Sequence, residues 1–169
     1  MLDLRGNPGG YIQGAQAIAS QFIGSGPIYW EKAANTDPVP TNATPGGVAT
    51  SPSIKLVVLV DGNTASASEI LAGSIQDTKR GMLIGSKTYG KGTVQEFLPL
   101  ESDNGGFRLT IARWLTPNQR WINKTGLIPD VVVAPPASGA TPGSDPVLDR
   151  GLEVLGLQPS ALLDLAEAA

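Results

Sequence analysis

The segment Lys55-Leu-Val-Val-Leu-Val-Asp61 constrains the fold more than any other part of this chain. Its apolar residues run without a break from Leu56 to Val60, are rich in β-branched valine, and are bounded by turn formers. An alternating pattern would leave one face to solvent. An unbroken run calls for burial on both faces, the setting of a parallel sheet covered by helices. A helix is expected next, from about Ser66 to Arg80, with Ile70, Leu71, Ser74 and Ile75 turned inward. Lys79 and Arg80 fall at its C-terminal end, where cations suit the helix dipole. Met82–Gly85 reads as another short strand. Strand, helix and strand make a βαβ unit, so the expected class is α/β.

Leu2–Arg5 looks like the tail of a strand, stopped by the turn cluster Gly6-Asn-Pro-Gly-Gly10. It reads as the end of a buried strand rather than as a signal peptide, and the chain is expected to be the C-terminal part of something longer. Tyr11, Ala15, Ile18, Ala19 and Phe22 recur at helical spacing and predict one apolar face. Ile28–Trp30 is a short strand, and residues 34–53, rich in Pro, Gly, Thr and Asn, read as a long exposed loop. After Lys91, Thr93–Leu98 and Phe107–Leu115 are strand-like around a turn at Glu101–Gly106. In the second of them Phe107, Leu109 and Ile111 alternate with Arg108, Thr110 and Ala112. Trp121-Ile122 and Val131–Val133 are short extended pieces. The expected organisation is a catalytic-type core over 1–134, a Pro/Gly-rich linker over 135–147 and short helices over 148–169, broken at Pro159.

With 169 residues, 41% of them hydrophobic and 16% charged, the chain suits one globular domain with a real core. Its net charge of −3, with Lys and Arg scattered, argues against nucleic acid as a partner. No stretch approaches the roughly 18 apolar residues of a membrane-crossing helix. The sequence has no His and no Cys. Histidine-assisted serine chemistry, thiol nucleophiles and imidazole or thiolate metal sites are therefore excluded, and no metal or cofactor is expected.

Serine chemistry remains open if a lysine takes the proton. Ser66 lies at a strand-to-helix turn between the small residues Ala65 and Ala67, as a crowded nucleophile elbow requires. Ser66-Ala-Ser-Glu69 is equally a capping box, in which Ser66 caps the helix and Glu69 returns the bond. The two roles are compatible, because a helix N-terminus also offers amides to a developing oxyanion. Lys91 sits between Gly90 and Gly92. It fits a buried base or a surface lysine in a glycine turn. Gly85-Ser-Lys-Thr-Tyr-Gly-Lys91 also has the spacing of a phosphate-binding loop, although Gly92 stands where that motif needs Ser or Thr and a strand stands where it needs a helix. Gly9-Gly10 opens a helix and exposes backbone N–H groups, the makings of an anion site.

Three segments together resemble one family. Leu2-Asp-Leu-Arg-Gly-Asn-Pro-Gly-Gly10, Gly62-Asn-Thr-Ala-Ser-Ala-Ser-Glu-Ile-Leu-Ala-Gly73 and Gly85-Ser-Lys-Thr-Tyr-Gly-Lys-Gly-Thr-Val-Gln95 are similar to the carboxyl-terminal processing, or tail-specific, serine peptidases. Leu109-Thr-Ile-Ala-Arg-Trp-Leu-Thr-Pro117 and Gly126-Leu-Ile-Pro-Asp130 continue the match over roughly residues 1–134. The resemblance implies a crotonase-like α/β core with βαβ units and added antiparallel strands, its N-terminal part missing here. It implies a Ser66 nucleophile, a Lys91 general base and Gln95 orienting the lysine. Ala67 with Gly9 or Gly10 would form the oxyanion hole, with Glu69 and Asp77 in support, while Ser68 points elsewhere. It further implies endoproteolysis near the C-termini of protein or peptide substrates, an extracytoplasmic location and an upstream PDZ module that this chain does not include. A non-catalytic scaffold of the same fold and a nucleotide-binding domain are the alternatives.

Overall fold

In the computed structural model, residues 1–100, 105–134 and 144–158 are described. The elements run β1 (Leu2–Asp3), α1 (Ile12–Ala19), β2 (Pro27–Ala33), β3 (Val39–Asn42), β4 (Val57–Val60) and α2 (Ala67–Asp77). They continue as β5 (Met82–Gly85), β6 (Thr93–Pro99), β7 (Gly106–Leu115), β8 (Val131–Val132) and α3 (Pro146–Leu155). The apolar run is β4, second in a parallel sheet of order β1-β4-β5-β8. Both of its faces are covered. Val58 and Val60 join the core under α1 and α2 with Ile70, Leu71 and Leu83. Val57 and Leu59 meet Ile84 and Val147 on the other face, where α3 lies. Each such buried side chain contributes about 1.5–3 kcal/mol relative to exposure. β4, α2 and β5 form the expected βαβ unit.

A second, antiparallel sheet has the order β3-β2-β7-β6. β3 lies within residues 34–53, where a loop was expected. It contains Pro40, but β3 is an edge strand, where a missing N–H is tolerated. The segment after it is tied down by Arg80, whose guanidinium donates to the carbonyls of Phe22 (3.0 Å), Ala49 (2.6 Å) and Ser51 (3.2 Å). Arg80 thus serves neighbouring loops, not the α2 dipole; α2 ends at Asp77 with Thr78 as its cap.

Other expectations shift for local reasons. In α1, Ala15 and Ala19 are buried, but Tyr11 is 89% exposed and Ile18 46%. The helix is short, Tyr11 is its extended N-cap, and two alanines suffice for its close contact with α2. Along β7, Phe107, Leu109 and Ile111 stay exposed, whereas Ala112, Trp114 and Leu115 are buried. The outer half of the β6–β7 hairpin runs beyond the core, so alternation there does not mark a buried face. Trp121-Ile122 is not a strand, although Ile122 is buried. α3 begins at Pro146 with Asp145 as N-cap, ahead of the expected boundary. The Pro159 break, most of the linker and residues 101–104 of the turn lie outside the described residues.

Arg5 joins β1 to the start of α3. Its guanidinium donates to Asp3 and, at 2.7 Å, to Asp145. Hydrogen bonding from Arg5 holds both carboxyls below their usual value of 3.8. A depressed carboxyl stabilises the fold above its unfolded pKa, and that contribution is lost as pH falls through the folded one. Arg5→Met should therefore lower stability at pH 7 by about 1 kcal/mol, since the cluster is partly solvent-screened. The gap to wild type should close below about pH 3. Thermal melts of both proteins from pH 2.5 to 7 check this; a gap that persists in acid would refute it.

Candidate active site

The turn that follows β4 is fastened before it reaches Ser66. Asp61 Oδ1 accepts the amides of Gly6 (3.0 Å), Asn63 (2.9 Å) and Thr64 (3.0 Å). The buried Thr64 hydroxyl donates to the Leu4 carbonyl at 2.8 Å. Ser66 then takes φ 56°, ψ −120°, a conformation that side chains other than glycine's rarely adopt. Such strain is what a sharp elbow imposes on the residue it projects. Ser66 and Glu69 are placed as a capping box, but its bonding is uneven. The Ser66 amide donates to Glu69 Oε2 at 2.9 Å, whereas the Glu69 amide goes to the Ser66 carbonyl at 2.8 Å. The Glu69 amide thus has the Ser66 carbonyl as its acceptor at 2.8 Å, beside a Ser66 side chain placed for the box.

The glycine pair packs against this elbow. Gly9 has φ +93°, and a Cβ there would lie 2.6 Å from the Ala65 carbonyl oxygen, 2.8 Å from the Ala67 nitrogen and 2.9 Å from Ser66 Cβ. Asn7 braces the loop: its side chain accepts the Gly9 amide and its carbonyl the Ala65 amide, each at 3.0 Å. Gly9 N–H is thus already engaged. The amides of Gly10 and Ala67 find no acceptor among the described residues.

Glu69 is the centre of the arrangement. It is 0% exposed and receives four donors. Oε1 accepts the Thr88 hydroxyl (2.6 Å) and the Gly90 amide (2.7 Å), and Oε2 accepts the Lys91 amide (2.8 Å) beside that of Ser66. One buried carboxylate thereby fixes the Ser66 turn and the Lys91 loop to each other. The loop is held from its outer side as well. The Trp114 indole donates to the Lys91 carbonyl (2.8 Å), Trp121 to that of Gly92 (3.0 Å), and the Leu127 amide to the Thr88 hydroxyl (2.7 Å). This bonding also bears on the phosphate-loop reading. The Gly90 and Lys91 amides that would cradle a phosphate face a carboxylate, and β6 follows where that motif needs a helix.

Ser66, Lys91, Gly10 and Gln95 line a single cleft of about 530 Å³, with Val94 and Ile111 among its apolar walls. Lys91 is half-buried, and among the described residues no carboxylate forms an ion pair with it. Gln95 is exposed on β6 and shares the cleft without a hydrogen bond to Lys91. Ser68 is buried and borders a separate depression with Leu71. Asp77 is at the far end of α2, about 16 Å along the helix at 1.5 Å per residue. There its carboxylate pairs with Arg120 and accepts the Asn118 amide at 2.9 Å, which ties the helix end to the loop after β7. Among the described residues no group of three acidic side chains is placed to hold a metal.

A family model described as Peptidase family S41 matches residues 1–133. The chain belongs to that family. It is 43% identical over 136 residues to the carboxyl-terminal-processing protease of Synechocystis sp. (strain ATCC 27184 / PCC 6803 / Kazusa), covering 80% of this chain and 31% of that protein. The carboxyl-terminal-processing protease of Picosynechococcus sp. (strain ATCC 27264 / PCC 7002 / PR-6) is 38% identical over 172 residues, 100% of this chain and 40% of its own length. Among solved structures, a photosystem II D1 C-terminal processing protease superposes with a TM-score of 0.67 at 38% identity, covering 79% of this chain and 34% of that one. The chain thus spans between 31% and 40% of the length of these relatives.

Several residues of this S41 chain that shape the site escaped the sequence reading. Thr88 lies in the same motif as Lys91, and its place two residues before Gly90 was the available signal. Asn7 reads only as part of a turn cluster, and Thr64 and Trp114 only as members of longer segments. Their roles depend on contacts between distant segments.

Proposed function

We propose that the protein is a serine endopeptidase that cleaves protein substrates near their C-termini, with Ser66 as nucleophile and Lys91 as general base. The observation that carries this reading is the placement of both residues on one cleft, with their backbone amides 2.9 and 2.8 Å from the same Glu69 oxygen. Ser66 Oγ attacks the scissile carbonyl and passes its proton to neutral Lys91 Nζ. The oxyanion is received by the Gly10 and Ala67 amides, Gly9 being occupied by Asn7. Lys91 returns the proton to the leaving amine, then removes one from the water that hydrolyses the acyl-enzyme. Gln95 orients the lysine from β6. Glu69 acts through the backbone, and Asp77 by anchoring α2.

The names of the relatives support the substrate class, and two of those relatives are chloroplastic proteins. We place this protein likewise outside the cytoplasm, with a PDZ module elsewhere in the full-length protein to capture substrate tails. Among the described residues no helix is long and apolar enough to cross a membrane.

An active-site fluorophosphonate probe tests the dyad in the full-length protein. Labelling should vanish in Ser66→Ala and fall at least about a hundredfold in Lys91→Ala. Equal labelling of wild type and both variants would leave only a scaffold of the same fold.

A further inference from the structure

Arg5 stands where the Gly6–Gly10 loop departs, and it is held from the other end of the chain. Its Nη1 donates to Asp145 Oδ1 at 2.7 Å, while Nε and Nη2 grip Asp3 at 3.0 and 2.7 Å. Asp145 is also the N-cap of α3 and accepts the Leu148 amide at 3.0 Å. One carboxylate therefore starts the helix and fixes Arg5. α3 lies beyond the residues 1–133 that the family model matches, on the sheet face opposite α2. It is seated firmly. Val147 and Leu152 are buried, and a Cβ on Gly151 would come within 2.8 Å of Met1 Cε and 3.1 Å of Leu59 Cδ2. At its other end the Leu155 carbonyl accepts Lys55 Nζ at 3.3 Å.

The loop that leaves Arg5 needs such an anchor. Gly6 has φ +65° and Gly9 +93°, so its backbone has pivots that other residues would not supply. Gly6, Asn7, Pro8 and Gly10 are exposed. The departure is set by the Gly6 amide on Asp61 Oδ1 (3.0 Å) and the Asn7 amide on the Leu4 carbonyl (3.2 Å), and, ahead of both, by the Arg5 side chain. We propose that Asp145 and Arg5 are positioning residues: α3, docked outside the family core, holds Arg5 and thereby keeps the Gly10 amide aimed at the carbonyl that Ser66 attacks. This rests on the Ser66 reading above.

Asp145→Asn is the informative variant. Asn caps helices as well as Asp, so α3 keeps its start while Arg5 loses its charged partner. In the full-length protein, hydrogen exchange of the Gly6–Gly10 amides should quicken. The rate constant for acylation by the fluorophosphonate should fall about fivefold, with the probe's dissociation constant unchanged, the size of effect that coupled sites usually show. Asp145→Glu should recover part of the loss. Ile28→Ala, a core truncation in the other sheet, is the control for general destabilisation. If it slows acylation as much at an equal drop in melting temperature, positioning is overturned. Unchanged loop exchange and acylation in Asp145→Asn overturn it too. A wild type that takes no label would sink the nucleophile reading, while loop exchange would still decide for or against the clamp.

Discussion

Glu69→Leu should lower the stability of this protein by about 4 kcal/mol and abolish acylation of Ser66. The substitution removes the acceptor for four donors at a position with no solvent exposure: the Thr88 hydroxyl and the amides of Ser66, Gly90 and Lys91. Each buried donor left without a partner costs about 1–3 kcal/mol, less whatever a trapped water recovers. For a chain of this size the loss corresponds to a melting temperature about 10 °C lower. Glu69→Gln should fall between, because one amide oxygen remains while the NH₂ group meets N–H donors. Thermal denaturation followed by circular dichroism reads the stability, and the fluorophosphonate rate reads the site. A Glu69→Leu melting point within about 2 °C of wild type would mean that the carboxylate is not the tie between the two loops.

Gly9→Ala should leave the fold in place and cost about a hundredfold or more in acylation rate. The added methyl would meet the Ala65 oxygen at 2.6 Å and the Ala67 nitrogen at 2.8 Å, both backbone atoms that cannot swing aside. The left-handed φ adds about 1–2 kcal/mol of strain for any side chain. Relief must come from the Asn7–Gly10 loop moving away from Ser66. Gly10→Ala is the contrast, because a Cβ there meets nothing within 4 Å. It should slow acylation far less. Similar rates for the two alanine variants would count against a close-packed glycine at the elbow.

Legibility in the sequence followed the range of the interactions. The β4 run, the α2 face and β5 were readable because each depends on local pattern and on burial that the pattern demands. β3 was not, because Pro40 is permitted only by an edge position that nothing local announces. The exposed half of β7 misled for the converse reason: alternation reports a strand, but not whether a layer covers it. At the site, Ser66, Lys91, Glu69 and the glycine pair stood out through their motifs. What stayed hidden was the division of labour. The capping box suggested that the Ser66 hydroxyl was spent on the helix, but the Glu69 amide also has the Ser66 carbonyl, at 2.8 Å. Gly9 and Gly10 looked equivalent until Asn7 claimed one of the two amides. Glu69 looked like a cap, and its three other donors come from residues 88–91, whose arrival beneath α2 is a matter of tertiary packing.

The hydrogen bonds around Thr88 also set an order in time for a chain leaving the ribosome. The hydroxyl that donates to Glu69 is the one that receives the Leu127 amide, and the Lys91 carbonyl waits for the Trp114 indole. A nascent polypeptide that has emerged only through α2 carries its serine with no lysine loop to serve it. At about 5–20 residues per second, several seconds of translation separate Ser66 from the last of these partners. On the proposed reading, an unfinished copy cannot cut itself or its neighbours, because the cleft is completed only by segments synthesised after the nucleophile.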